Sequence, residues 1–99
     1  MVPSGVASQG GEVPSSSFSP AAQNALAREM GLRLQRLRAE RGLSQERTAH
    51  LAGISAYTYQ KFEKGESKPG TPMNPRLLTL LALAEVFEVK LRDIVGPDL

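Results

Sequence analysis

Between Ser44 and Gly65 the chain twice sets a serine, a short helical stretch and a glycine in that order, first Ser44 to Gly53 and then Ser55 to Gly65. A serine at a helix entrance accepts a hydrogen bond from a first-turn amide, and a glycine at the exit supplies the positive φ that stops the helix. Only Gly53, Ile54 and the capping Ser55 separate the two helices, so they must cross sharply. In the first, Thr48, Ala49, Leu51 and Ala52 recur as the small or apolar positions of a short amphipathic helix, and Ile54 plugs the corner.

Helical spacing then divides the second helix. At about 100° per residue, Ala56, Tyr57, Gln60, Lys61 and Lys64 share one arc, while Tyr59 and Phe62 fall on the other side with Ser55 and Thr58. The second group reads as core. The first offers hydrogen-bond donors and cations with no carboxylate, a set that suits the acceptor-rich edge of guanine and the mixed edge of adenine in a major groove. These features point to a DNA reader.

Four linked segments carry a resemblance: Leu34-x-x-Leu37-Arg38-x-x-Arg41-Gly42-Leu43-Ser44-Gln45, then Ala49-x-x-Ala52-Gly53-Ile54-Ser55, then Phe62-Glu63-Lys64-Gly65 with Pro69, and Leu77-x-x-Leu80-Leu81-x-Leu83-Ala84 followed by Val89. In this order they resemble the phage-repressor type of helix-turn-helix, the Xre-like family of small bacterial DNA-binding domains, across residues 29 to 95. The resemblance implies an all-α, five-helix repressor-like bundle whose helices 2 and 3 form the helix-turn-helix. It places Ala56, Tyr57 and Lys61 at base-contacting positions, with Gln60 beside them and Ser55 close to a base edge. It places Gln45, at a positive helix end, and Lys64 on phosphates. It also implies a shielded ion pair between Arg38 and Glu63 that fixes helix 3 against helix 1. Operators of this family are palindromic and met by two-fold dimers, which implies a weak homodimer completed on DNA.

Charge is distributed accordingly. Of a net +2, residues 28 to 68 hold nine Lys or Arg against five Glu, whereas residues 1 to 27 hold one Glu and no Lys or Arg. Localised positive charge is the footprint of a protein that neutralises phosphates. With 99 residues and no cysteine, the chain allows one domain without disulfides or thiolate chemistry. No apolar run is long enough to span a bilayer and Met1 to Gly11 lacks the pattern of a secretory signal, so a cytoplasmic, nucleoid-associated protein is expected. His50 is the single histidine and has no metal-ligand partners in spacing, and no Ser, His and Asp trio or phosphate loop is present. Neither an enzyme nor a cofactor-binding protein is therefore expected.

The remaining segments are organised around the helix-turn-helix. Residues 1 to 19 read as a disordered tail, 20 to 96 as the domain and 97 to 99 as the C-terminal end. Ser19-Pro20 opens a first helix carrying Ala22, Leu26, Met30, Leu34 and Leu37 on one stripe, to about Arg41; residues 20 to 28 are an extension of it or a separate turn broken near Gly31. Glu66 to Asn74, with its prolines and glycine, reads as a loop with no strand, about six residues longer than the loop common in the resembling family. Asn74 as cap and Pro75 as first residue then open a helix to Phe87, with Leu77, Leu80, Leu81, Ala84 and Phe87 as its buried stripe, and a last helix runs from Leu91 to Val95.

Four residues depart from the family pattern: Thr48 for a leucine, Leu51 for a polar residue, Glu88 for a helix-ending glycine and Lys90 for a cap. Thr48 and Leu51 together imply a rotated helix 2, an interface at Leu51, or a tolerated surface leucine. From all of this the expected function is a sequence-specific, double-stranded DNA-binding transcriptional regulator with helix 3 in the major groove. The alternative is a protein-interaction module, antitoxin-like or adaptor, that uses the helix-turn-helix as scaffold.

Overall fold

Ser19, Ser44 and Ser55 each cap a helix. In the computed structural model, which describes residues 18 to 97, their hydroxyls accept hydrogen bonds from the amides of Ala22, Arg47 and Thr58 at 3.2, 2.9 and 3.0 Å. The helices so opened are α1 (Pro20–Glu40), α2 (Gln45–Ala52) and α3 (Ala56–Lys64), followed by a hairpin of β1 (Glu66–Lys68) and β2 (Thr71–Pro72), then α4 (Leu77–Phe87) and α5 (Leu91–Val95). Gly53 and Gly65 close α2 and α3 at φ 76° and 77°. The expected tail over residues 1 to 19 lies almost wholly outside the described residues, as does most of the C-terminal end.

α1 is one uninterrupted helix, so the break considered near Gly31 does not occur. Gly31 serves packing instead: it is buried where α1 meets the end of α3. Leu34, Tyr59, Leu83, Phe87 and Ile94 form the most deeply buried part of the core, bringing together α1, α3, α4 and α5. Thr48 is buried as well, and its hydroxyl donates to the carbonyl of Ser44 at 2.9 Å, which satisfies a polar group inside the core. With Thr48 and Ala49 inward and Leu51 exposed, α2 needs no rotation.

Two expectations about the segment after α3 are corrected. The first concerns strands: residues 66 to 72 form a two-stranded antiparallel hairpin, with Glu66 opposite Pro72 and Lys68 opposite Thr71. Lys68-Pro69-Gly70-Thr71 has proline where a type II turn fixes φ and glycine, at φ 82°, where it demands a positive one. The second concerns α4, which begins at Leu77 with Arg76 as its cap, not at Pro75 with Asn74. Met73 explains the delay. Its side chain is buried and its amide donates to the Gly65 carbonyl at 3.0 Å, so the chain stays extended past β2 and needs residues 74 to 76 to turn.

The buried stripe of α4 also differs: Leu80, Leu83, Ala84 and Phe87 face the core, while Leu77 and Leu81 are exposed with Leu78. Almost every residue of this helix is apolar, so spacing alone does not select a face. Glu88 ends α4 at φ 59° without glycine, and Arg41 covers that end by donating from Nε to the Phe87 carbonyl at 2.8 Å. At α5 the Asp93 carboxylate accepts from the Lys90 amide at 2.9 Å, giving an anchored start although an ammonium cannot itself accept a first-turn bond.

Candidate nucleic-acid interface

α3 is held from behind at its C-terminal end. Arg38 of α1 meets Glu63 with two bonds, Nε to Oε2 at 2.5 Å and Nη2 to Oε1 at 3.1 Å, and donates a third from Nη1 to the Leu43 carbonyl at 3.0 Å. Gln35 donates to the Glu63 carbonyl at 2.9 Å and Gln45 to Glu63 Oε1 at 2.8 Å. The Glu63 side chain is 5% exposed and that of Arg38 23%. Burial pushes the Glu63 carboxyl up, but the hydrogen bonds, led by Arg38, more than offset it and hold it below the usual glutamate range. Arg38 is raised in turn by its bond to Glu63. The Tyr59 hydroxyl lies buried beside the pair, within reach of its field but without a hydrogen bond of normal geometry, and burial raises its pKa, with the Glu63 charge adding to the effect.

With Tyr59, Phe62 and Glu63 turned inward, α3 presents Tyr57 and Lys64 outward, with Gln60 and Lys61 half-buried between them. Tyr57 is 67% exposed, and the Lys61 ammonium lies 4.4 Å from the centroid of its ring. That stacking, one helical turn apart, holds the lysine against a flat apolar support. No carboxylate of α3 is exposed.

The other expected site residues are placed differently. Ala56 is half-buried and packs on the core cluster, so it is turned only partly outward. Ser55 is exposed, not in the core, and its hydroxyl is engaged by Thr58, accepting from the amide and donating to Oγ1 at 2.9 Å. Gln45 stands at the first position of α2, but its side-chain amide points to Glu63. The structure adds residues that sequence spacing missed. Gln35 joins the brace behind α3, and the hairpin sets Lys68 beside Lys61 and Lys64. The Pro69-Gly70 dipeptide was the available signal for that hairpin.

A short capped helix, a glycine corner and a second helix with a cationic outer face, all backed by a longer helix, are the parts of a helix-turn-helix module. The chain belongs to the helix-turn-helix domain family, whose model matches residues 29–91, and its fold is of the repressor-like kind found in DNA-binding regulators. It is similar to the restriction-modification controller protein C.AhdI from Aeromonas hydrophila, known from a crystal structure. The two are 31% identical, with a TM-score of 0.59 over 71% of this chain and 96% of that one. No curated protein matches the chain. Among the described residues no helix is long and apolar enough to cross a membrane.

Proposed function

We propose that this protein is a sequence-specific, double-stranded DNA-binding transcriptional regulator that inserts α3 into the major groove of an operator. The observation that carries this is the outer face of α3, where Tyr57, Gln60 and Lys61 stand together with Lys64 and the helix itself exposes no carboxylate. Lys61 and Gln60 are the donors for base edges, Tyr57 supports Lys61 and offers its hydroxyl, and Ala56 and Ser55 bring the start of α3 close to the base pairs. Lys64 contacts a phosphate. Gln45 acts at the amide end of α2, where a helix dipole favours an anion, with its side chain committed to Glu63. The likeness to a controller protein supports a regulatory role, exercised in the cytoplasm at the nucleoid, without a cofactor or catalytic step.

Recognition involves two copies. On α4, Leu77, Leu78 and Leu81 are 60%, 77% and 43% exposed and share one side of the helix, and Leu51 is exposed on α2, which packs against α4. Three large apolar residues on one side of a helix are a surface to be covered, and a second copy on a palindromic operator covers it by two-fold symmetry. The same leucines would serve the rival role, an antitoxin-like or adaptor module that binds protein.

Selection of bound duplexes from a random pool, with footprinting of the winner, tests the proposal. A palindrome with half-sites about one helical turn apart is expected. Absence of any enriched sequence, together with binding that does not weaken as salt rises, would leave the interaction module in its place.

A further inference from the structure

We propose that the groove between the start of α1 and residues 67 to 75 is an intramolecular docking site whose occupant is this chain's own segment 13 to 17, Val-Pro-Ser-Ser-Ser. The groove shares no residue with the outer face of α3 and has no part in the DNA-binding role proposed above.

α1 begins at Pro20, ahead of residue 29, where the match to the helix-turn-helix family starts. These added turns rest on the end of α3 at the level of the backbone: a Cβ placed on Gly65 would come within 2.7 Å of the Ala27 carbonyl oxygen and 2.9 Å of the Arg28 Cα. Held there, they form one wall of a groove of about 670 Å³, and the end of the hairpin with the residues that follow it forms the other. Met30, Met73 and Leu80 line it and are each 7% exposed, so its base is apolar and belongs to the core. No lining residue is charged. A groove of this size and character holds an occupant that is largely apolar and carries no charge of its own.

Phe18 points to which occupant that is. It is the first described residue, it lines the groove, and it is 56% exposed there. Its place is fixed, because its carbonyl accepts from Gln23 Nε2 at 3.0 Å and Ser19 beside it caps α1. The chain before Phe18 therefore sets out from a fixed point in the groove wall, which gives it an effective concentration there on the order of millimolar. Five extended residues reach at most about 17 Å, enough to carry Val13 and Pro14 over the apolar base. Ser15, Ser16 and Ser17 then face neutral hydrogen-bonding groups of the far wall, among them Ser67, Thr71 and Asn74. Residues 13 to 17 carry no charge, whereas Glu12 just before them would be costly to bury where no cation lines the groove. Pro14 lowers the entropy lost when the segment is ordered.

Photo-crosslinking of the full chain tests this. The variants are Val13→p-benzoylphenylalanine and, as a control, Val6→p-benzoylphenylalanine, each irradiated as an equal mixture of isotopically heavy and light chains and mapped by mass spectrometry. Position 13 should crosslink within one chain to Leu26, Met30 or Met73, and position 6 should give far less of these products. In a second measurement that needs no bulky label, Val13→Asp should lower the melting temperature by about 4 to 8 °C, the shift expected when one apolar side chain of a domain this size leaves a partly buried site. Val6→Asp should melt with the parent. Crosslinks that join heavy to light chains would seat a second copy's segment in the groove and overturn the proposal. Crosslinks spread evenly over the surface, with Val13→Asp melting as the parent does, would overturn it as well.

Discussion

Gly31 lies directly against the backbone of Glu63: a Cβ placed on it would come within 2.6 Å of the Glu63 carbonyl oxygen and 2.9 Å of that of Phe62. Both obstacles are main chain, in the last turn of the helix that carries the outward face, and neither can swing aside. α1 and α3 can approach this closely only because no side chain stands between them.

Gly31→Ala should therefore destabilise the protein by about 1 to 2 kcal/mol, the scale of core overpacking. The usual effect of alanine for glycine inside a helix is a gain of about 1 kcal/mol. The sign is thus diagnostic. A variant that melts at or above the parent temperature would show that α3 is not seated on Gly31.

Arg38→Ala should cost about 3 kcal/mol, because it strands a carboxylate that is nearly fully buried. Adding Glu63→Gln removes the stranded charge and should recover part of that loss. Urea titrations of the parent, both single variants and the double variant close the cycle. Equal stability of Arg38→Ala and the parent would mean that the pair contributes nothing.

Acid should expose the same pair. The folded Glu63 carboxyl sits below its ordinary value of 4.5, so the folded state binds the proton less readily than the unfolded chain. The stability it contributes is complete above pH 4.5 and is lost as pH falls through the depressed folded value. Denaturation midpoints measured from neutral pH downward should fall more steeply in the parent than in Glu63→Gln. Parallel curves would mean that Glu63 titrates in the folded state as it does when unfolded.

Glu88→Gly should stabilise. Left-handed backbone costs a non-glycine residue roughly 1 to 2 kcal/mol, against which stand about 0.5 to 1 kcal/mol of added chain entropy and a weak exposed pair with Arg41 at 3.6 Å. The net gain is about 0.5 kcal/mol, a rise of about 2 to 4 °C in melting temperature. A lower melting temperature would show that the Arg41 contact outweighs the strain.

Lys61 and Lys64 should separate in binding. Lys61→Ala should weaken binding to the selected operator by about 1 to 3 kcal/mol more than to a duplex altered at one base pair, whereas Lys64→Ala should weaken both alike. Tyr57→Ala should share the Lys61 pattern, because it removes the ring on which that ammonium rests. If Lys61→Ala lowers affinity for both duplexes by one factor, Lys61 binds phosphate and base reading shifts to Tyr57 and Gln60.

What was legible in the chain was whatever depends on near neighbours. The three capping serines, Gly53, Gly65 and the inward turn of Tyr59 and Phe62 are local events, decided within one or two helical turns. The start of α4 was not, because it depends on Met73 finding the core and on its amide finding Gly65. Leu77 and Leu81 lie outside the buried face for a related reason: an almost uniformly apolar helix carries no stripe, and packing, not spacing, turns Leu83 inward beside Leu80. At the candidate interface, spacing grouped Tyr57, Gln60, Lys61 and Lys64 on one arc. It did not reveal that the Gln45 amide would bond to Glu63 or that Lys61 would lie on Tyr57, since both depend on rotamers.

The division of labour along α3 has a bearing on how such a chain can diversify. Tyr59, Phe62 and Glu63 tie the helix to its support, and Tyr57, Gln60, Lys61 and Lys64 take almost no part in that. Side chains of the second group can be exchanged while the anchors stay in place, so changes in binding preference and changes in stability arise at different positions. A library randomised at positions 57, 60 and 61 should yield mostly folded members. The helix can thus be recoded along one side, by drift or by design, without renegotiating the rest of the molecule.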